Sequence, residues 1–261
     1  MEIINSRSFA SFDDPQKERF ARTCLLLGND ALARLHNAHV TVVGLGAVGS
    51  YVVEGLARAG VGRLRLVDFD RVAPSNINRQ LYALESTLGQ PKHELAAARV
   101  RDINPACEVE ALPLFVNRET VAQALAPPTR FLVDAIDSLN AKAALLEACV
   151  RAGLPVFSSM GAARRLDPSM IRVADLSQTT VCPLARFVRK RLHKRGIFEG
   201  VRCVYSIEPI PEESVGEPEE VETLAPGGRE RRPMGSMSCI TGIMGLTLAR
   251  EVIMNIVAPL K

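Results

Sequence analysis

Gly44-Leu45-Gly46-Ala47-Val48-Gly49 follows the β-branched run HVTVVG (39–44) and opens an Ala/Val/Leu-rich stretch. Between a strand and a helix, this G-x-G-x-x-G spacing lets backbone N–H groups and a helix amino end face a phosphate. Asp68 stands 19 residues past Gly49, at the end of the next apolar run. A carboxylate there can accept hydrogen bonds from ribose hydroxyls. These features alone suit a dinucleotide-dependent oxidoreductase, but the residues that follow do not. Asp68-Phe69-Asp70-Arg71-Val72-Ala73-Pro74-Ser75-Asn76-Ile77-Asn78-Arg79-Gln80 is succeeded by Gly89-Gln90-Pro91-Lys92, and Asp137 closes the run RFLVDAID (130–137). Hydride transfer has no use for Arg79, Lys92 and a metal-binding carboxylate around one phosphate. Attack at the α-phosphorus of ATP does, because charge builds on the phosphate oxygens as pyrophosphate leaves. Mg²⁺ takes hard oxygen ligands, and Asp137 can supply one.

The elements that must position these residues alternate along the chain. The pattern predicts a helix from Pro15 to His36, then strands at 39–44, 63–70, 108–114, 130–137 and 154–160. Helices are predicted between them, reaching from Gly49 to about Gly60 and over 91–104, 117–126 and 138–152. Alternation of this kind predicts an α/β fold, a Rossmann-like, doubly wound and mainly parallel sheet. The chain divides at about residue 165 into an ATP-binding domain with an amino-terminal helical arm (1–165) and a carboxy-terminal region (166–261). That region should hold strands at 170–176 and 202–209 on either side of a basic helix, a Pro/Gly/Glu-rich mobile loop at 211–234, and a terminal helix.

At 261 residues, 47% apolar and 23% charged, the chain can bury a sizeable core, which excludes disordered and collagen-like classes. The net charge of +3 is unevenly placed. The segment 186–195 (RFVRKRLHKR) holds six basic residues and no acid, and outside it 26 basic residues face 29 acidic ones. A patch like this suits a phosphate-rich partner. Residues 235–258 are mostly apolar, but Arg250, Glu251, Ser236, Ser238 and Thr241 interrupt them. They read as a packed helix rather than a bilayer span, with peripheral membrane association as the alternative. The start, MEIINSRSFASFDD, has no apolar run for secretion, so a cytoplasmic location is expected.

The run 68–92 together with Asp137 resembles the superfamily of ubiquitin-activating enzymes and their bacterial relatives, the adenylyltransferases of thiamine and molybdopterin biosynthesis. The resemblance covers about residues 15–165. It implies a nucleotide site of Gly44, Gly46, Gly49, Asp68, Asp70, Asn76, Arg79, Lys92 and Asp137. In it Asp68 holds ribose, Asn76, Arg79 and Lys92 contact the phosphates, and Asp137 binds Mg²⁺. Arg19-Phe20-Ala21-Arg22 matches the superfamily's R-[FY]-x-R motif. This implies that Arg22 reaches across a homodimer interface into the neighbour's ATP site.

Sulfur-carrier activators of this superfamily usually carry two C-x-x-C pairs, and the closest two cysteines here are 21 residues apart. The chain is instead similar to the tRNA threonylcarbamoyladenosine dehydratase branch. The likeness lies in Ser158-Ser-Met-Gly-Ala-Ala-Arg-Arg-Leu-Asp-Pro168, Thr180-Val-Cys-Pro-Leu184, Val204-Tyr-Ser-Ile-Glu-Pro209 and Gly235-Ser-Met-Ser238. Cys182 stands where that branch has an acidic residue. This resemblance implies adenylation of a threonyl carboxylate beside the tRNA anticodon, followed by ring closure. Arg186, Arg189, Lys190, Arg191, Lys194 and Arg195 would then contact tRNA. With no Trp and only Tyr51, Tyr82 and Tyr205, base recognition should rest on backbone and polar groups. Cys182, before the basic segment, and Cys239, near a helix start, are candidate thiols for a thioester or persulfide step. Such a step would bring in a cysteine desulfurase or sulfur acceptor. Cys24, Cys107, Cys149 and Cys203 read as core fillers. A monovalent cation in the carboxy-terminal half is a further expectation, without assigned ligands. The competing readings are an activator of a sulfur carrier's carboxy-terminal glycine and a dinucleotide-binding oxidoreductase.

Overall fold

The computed structural model describes residues 18–210 and 234–258. The loop expected at 211–234 therefore lies, except for Met234, outside the described residues. Seven strands form one sheet in the order β3-β2-β1-β4-β5-β7-β6. They are β1 (His39–Val43), β2 (Arg63–Val67), β3 (Glu108–Leu112), β4 (Phe131–Asp134), β5 (Val156–Ser159), β6 (Ile171–Asp175) and β7 (Val201–Ser206). All pairings are parallel except β6 with β7. Because β7 lies beside β5, the sheet runs on past residue 165.

Val40, Val42, Leu64, Leu66, Leu132 and Val133 are fully buried, as strands covered on both faces require. One face is covered by α2 (Asn29–His36), α3 (Gly49–Ala59), α4 (Lys92–Ile103) and α8 (Ser238–Val257). The other is covered by α5 (Val121–Leu125), α6 (Leu139–Arg151) and α7 (Pro183–His193). Helix α8 is long and apolar enough to cross a membrane by length and composition. It nevertheless buries Ile240, Met244, Leu248, Val252 and Ile256 in the core. It also lies close along α3: a Cβ on Gly55 would sit 2.8 Å from Ala249 Cβ, and one on Gly245 2.5 Å from Val48 O.

Two expectations change. The arm is not one helix to His36, because Gly28, at φ +88°, separates α1 (Ala21–Leu27) from α2. The strands expected to reach Asp70 and Asp137 stop at Val67 and Asp134. In both cases the carboxylate-bearing residues leave the sheet and form the turns above it.

Candidate active site

The strand order reverses between β1 and β4, and in open α/β sheets ligands bind at the carboxyl ends of the strands flanking such a point. Val43 is in register with Val67 on one side and Asp134 on the other. The turns starting at Gly44, Asp68 and Ala135 therefore emerge side by side. Gly44, at φ +88°, passes so close to the β4 turn that a Cβ would lie 2.8 Å from Ala135 O. A Cβ on Gly49 would lie 1.8 Å from Gly44 O, so this turn folds only with glycine there. Asp68 is buried and aligns the turns: Oδ2 accepts from Leu45 N–H at 2.6 Å and Oδ1 from Asp70 N–H at 2.8 Å. Burial pushes its carboxyl above the ordinary value, and the Lys92 ammonium opposes that rise.

The 74–92 segment is tied over the glycine turn. Gln80 Nε2 would lie 3.6 Å from a Cβ on Gly46. Leu81 N–H donates to Ser50 Oγ at 3.2 Å, and Tyr82 OH to Ser50 O at 3.2 Å. Asn76 is buried and closes the turn by accepting from Ala73 N–H at 3.2 Å. Arg79 Nη1 donates to Ser75 O at 2.6 Å and to Asn78 Oδ1 at 3.0 Å. Lys92 is the first residue of α4, where the helix dipole disfavours a cation. It is held there, buried, by Asp70 Oδ2 at 2.9 Å. Asp137 is exposed, three residues past the end of β4.

Beneath Asp137 lies a network that sequence reasoning missed. Lys142 Nζ meets Asp134 Oδ2 at 2.5 Å with both side chains fully buried. Ser158 OH donates to the same carboxylate oxygen at 2.6 Å, and Lys142 donates to Ser159 O at 2.9 Å. Asp134 Oδ1 accepts from Ile136 N–H at 3.1 Å, which fixes the turn leading to Asp137. The available signal was a single acid in the apolar run FLVD and a single lysine in the apolar helix that follows.

The site just described sits in a chain whose residues 20–259 match the ThiF family model. The chain belongs to the ThiF family. It is 40% identical over 244 residues to the tRNA threonylcarbamoyladenosine dehydratase of Bacillus subtilis, covering 93% of this chain and 96% of that protein. It is 41% identical over 204 residues to the Escherichia coli protein of the same name, covering 76% of each. The E. coli tRNA N6-threonylcarbamoyladenosine dehydratase crystallised with ATP superposes with a TM-score of 0.82 at 35% identity, over 94% of this chain and 96% of that one.

In this ThiF-family chain the six cations of the basic segment do not act alike. Arg189 Nη1 donates to Thr179 Oγ1 at 2.6 Å, Thr179 O at 2.9 Å and Leu176 O at 3.2 Å. Arg195 pairs with Glu147 at 2.6 Å, and Arg191 donates to Asn140 Oδ1. Arg186, Lys190 and Lys194 are exposed and line an open groove with Arg189 and His193. Phe187 and Phe198, 46% and 63% exposed, border this basic face, and Phe198 lies 5.1 Å from the His193 ring. Counting only Trp and Tyr in the sequence left these two exposed phenylalanines out.

The thiols also separate. Cys182 is 2% exposed and packed at Gly161 and the α7 start, so the expectation of an available thiol is corrected there. Cys239 is exposed, on the first turn of α8. Burial pushes the thiols of Cys107, Cys149 and Cys203 up to about 12, as core fillers should be. Cys24 is only half-buried and donates to Asn29 Oδ1 at 2.9 Å, which corrects its assignment to the core.

Proposed function

We propose that the chain is a cytoplasmic tRNA-modifying enzyme that removes water from N6-threonylcarbamoyladenosine at the expense of ATP. One observation carries the reading. Similarity to the dehydratases covers 93% of this chain, through the basic helix as well as the segments that carry Arg79, Lys92 and Asp137. In the reaction, a threonyl carboxylate oxygen attacks the α-phosphorus and pyrophosphate departs. The neighbouring carbamoyl group then attacks the activated carbonyl and loses a proton. AMP leaves with the former carboxylate oxygen, and a ring remains. Because nucleophile and electrophile are tethered, effective molarities of about 10⁵ M or more are available, and no enzyme thioester is required.

The chain's residues divide this work. Gly44, Gly46 and Gly49 keep the turn open to phosphates, Asp68 holds ribose, and Asp70 aims Lys92. Arg79 and Lys92 offset charge on the phosphates, and Asn76 contacts them as a neutral donor. Mg²⁺ takes few carboxylates beside substrate phosphates. Asp137 suits that demand as an exposed carboxylate three residues past the end of β4, on the turn that emerges beside the glycine turn. Mg²⁺ bound at Asp137 would neutralise phosphate charge. Arg22 is exposed on α1 beside Leu25 and Leu26, which are 83% and 82% exposed. An apolar surface of this kind around an arginine suits a homodimer in which Arg22 completes the partner's site. Arg186, Lys190 and Lys194 would hold the RNA, with Arg189, Arg191 and Arg195 shaping their helix.

The test is mass spectrometry of nucleosides from modified tRNA after incubation with ATP. Wild type should yield a product lighter by one water, and Asp137→Ala none. Full turnover by Asp137→Ala would remove the assigned magnesium role. Pyrophosphate exchange that requires a Gly-Gly-tailed protein and ignores tRNA would replace the dehydratase reading with sulfur-carrier activation.

A further inference from the structure

We infer that Arg165 receives the substrate's carboxylate and holds it for attack on ATP; this rests on the reading proposed above. Arg165 is 2% exposed, yet its Nε and Nη1 have no hydrogen-bond partner among the described residues. A buried guanidinium without an anion is costly, so a fold that keeps one has a use for its charge. The carboxylates nearest in the chain are already engaged. Glu208 accepts from Leu166 N–H and Asp167 N–H at 3.0 Å, and Asp167 accepts from Ser169 N–H at 2.8 Å.

The position suits the substrate. Arg165 lies in the segment after β5, beyond the carboxyl ends of the strands, where the glycine turn also emerges. On one side this turn reaches the Arg79 loop. Arg164 N–H donates to Gly235 O at 2.9 Å, and the next residue, Ser236, accepts at 2.8 Å from Asn78, the side-chain partner of Arg79. On the other side it reaches the start of the basic helix, where a Cβ on Gly161 would lie 3.6 Å from Cys182 Sγ and 3.7 Å from Leu184 Cβ. Arg164 is held at φ +59°, a conformation that non-glycine residues seldom adopt. The turn thus spans the gap between the phosphates and the RNA face, which a carboxylate carried by an RNA base must cross to reach the α-phosphorus. Guanidinium is suited to capture a carboxylate there, because its planar donors match carboxylate oxygens and it stays charged at all working pH values.

A phosphate of ATP or of the RNA could use the same donors, and the experiment separates these sources. Binding of ATP, of tRNA carrying the threonylcarbamoyl group and of the same tRNA with plain adenosine is measured for wild type, Arg165→Met and Arg165→Lys. Wild type should bind the carboxylate-bearing tRNA about tenfold more tightly than the plain one, the scale of a charge-assisted hydrogen bond. Arg165→Met should erase that preference while keeping affinity for ATP and plain tRNA, and Arg165→Lys should recover part of it. The ligand-free Met variant should melt no lower than wild type, since it removes an uncompensated charge. A preference that survives in Arg165→Met, an equal loss of ATP or plain-tRNA affinity, or a lower melting temperature overturns the inference. If wild type itself leaves the modified tRNA unaltered in ATP, the dehydratase reading fails, and the inference falls with it.

Discussion

Replacing Lys142 by Met isolates the buried network under the Asp137 turn. The lysine and Asp134 meet at 2.5 Å with no exposed side-chain surface, so neither charge has water to fall back on. Removing one partner leaves the other charged and dry, a change that costs about 3–5 kcal/mol. For a chain of this size, about 2–4 °C per kcal/mol converts that into a melting temperature lower by about 6–20 °C. The Asp134→Asn/Lys142→Met double variant removes both charges and keeps an acceptor for Ile136 N–H. It should recover to within about 1–2 kcal/mol of wild type, about 2–3 kcal/mol more stable than Lys142→Met alone. Urea titration of the four proteins, with equal m-values as the control, supplies the cycle. Additive single effects would refute the reasoning, because they would mean that the two side chains do not sense each other. Activity should follow the same pattern, since the Asp134–Ile136 bond shapes the turn that presents Asp137.

Two other outcomes follow. Changing Arg186, Lys190 and Lys194 together to Gln should weaken tRNA binding and flatten the slope of log K against log salt by about 2–3, at about 0.7–0.9 per lost phosphate contact. Filter binding across a salt series measures this, and an unchanged slope places the RNA elsewhere. His39 is lowered from 6.5 to about 4, chiefly by burial and then by Arg63 and Arg65. The unfolded chain therefore binds this proton more readily, so His39 contributes stability that is full above pH 6.5 and lost as pH falls toward 4. His39→Gln should flatten urea stability across that window, and an unaltered pH profile would contradict the assignment.

Much of this was legible in the residues because each local signal had one physical solution. The β-branched run before Gly44 reads as a covered strand, and the glycine spacing as the tight turn into a helix that the structure shows. Arg79, Lys92 and Asp137 are nominated through chemistry, because cations and a hard ligand have a shared use beside a triphosphate. Strand ends were less legible: Asp68 and Asp137 extend apolar runs in sequence, but in space the strands stop at Val67 and Asp134 before reaching them. The division of labour in the basic segment was not legible at all. Helical spacing places Arg189 beside Lys190, but it cannot reveal that the carbonyls of Leu176 and Thr179 wait for one and not the other. Arg165 was quoted within a motif and given no role, since nothing in its type distinguishes a buried guanidinium from a solvated one.

The close seam between α3 and α8 bears on how the molecule is made. Gly55 and Gly245 let the two helices touch, and Arg34 of α2 donates to Val257 O at 2.8 Å. These partners are far apart in the order of synthesis. While the ribosome is still making the middle of the chain, the helix behind the glycine turn has emerged with one apolar flank bare. Native closure waits for α8, and a nascent chain stalled before it would offer that flank to chaperones or to other stalled chains.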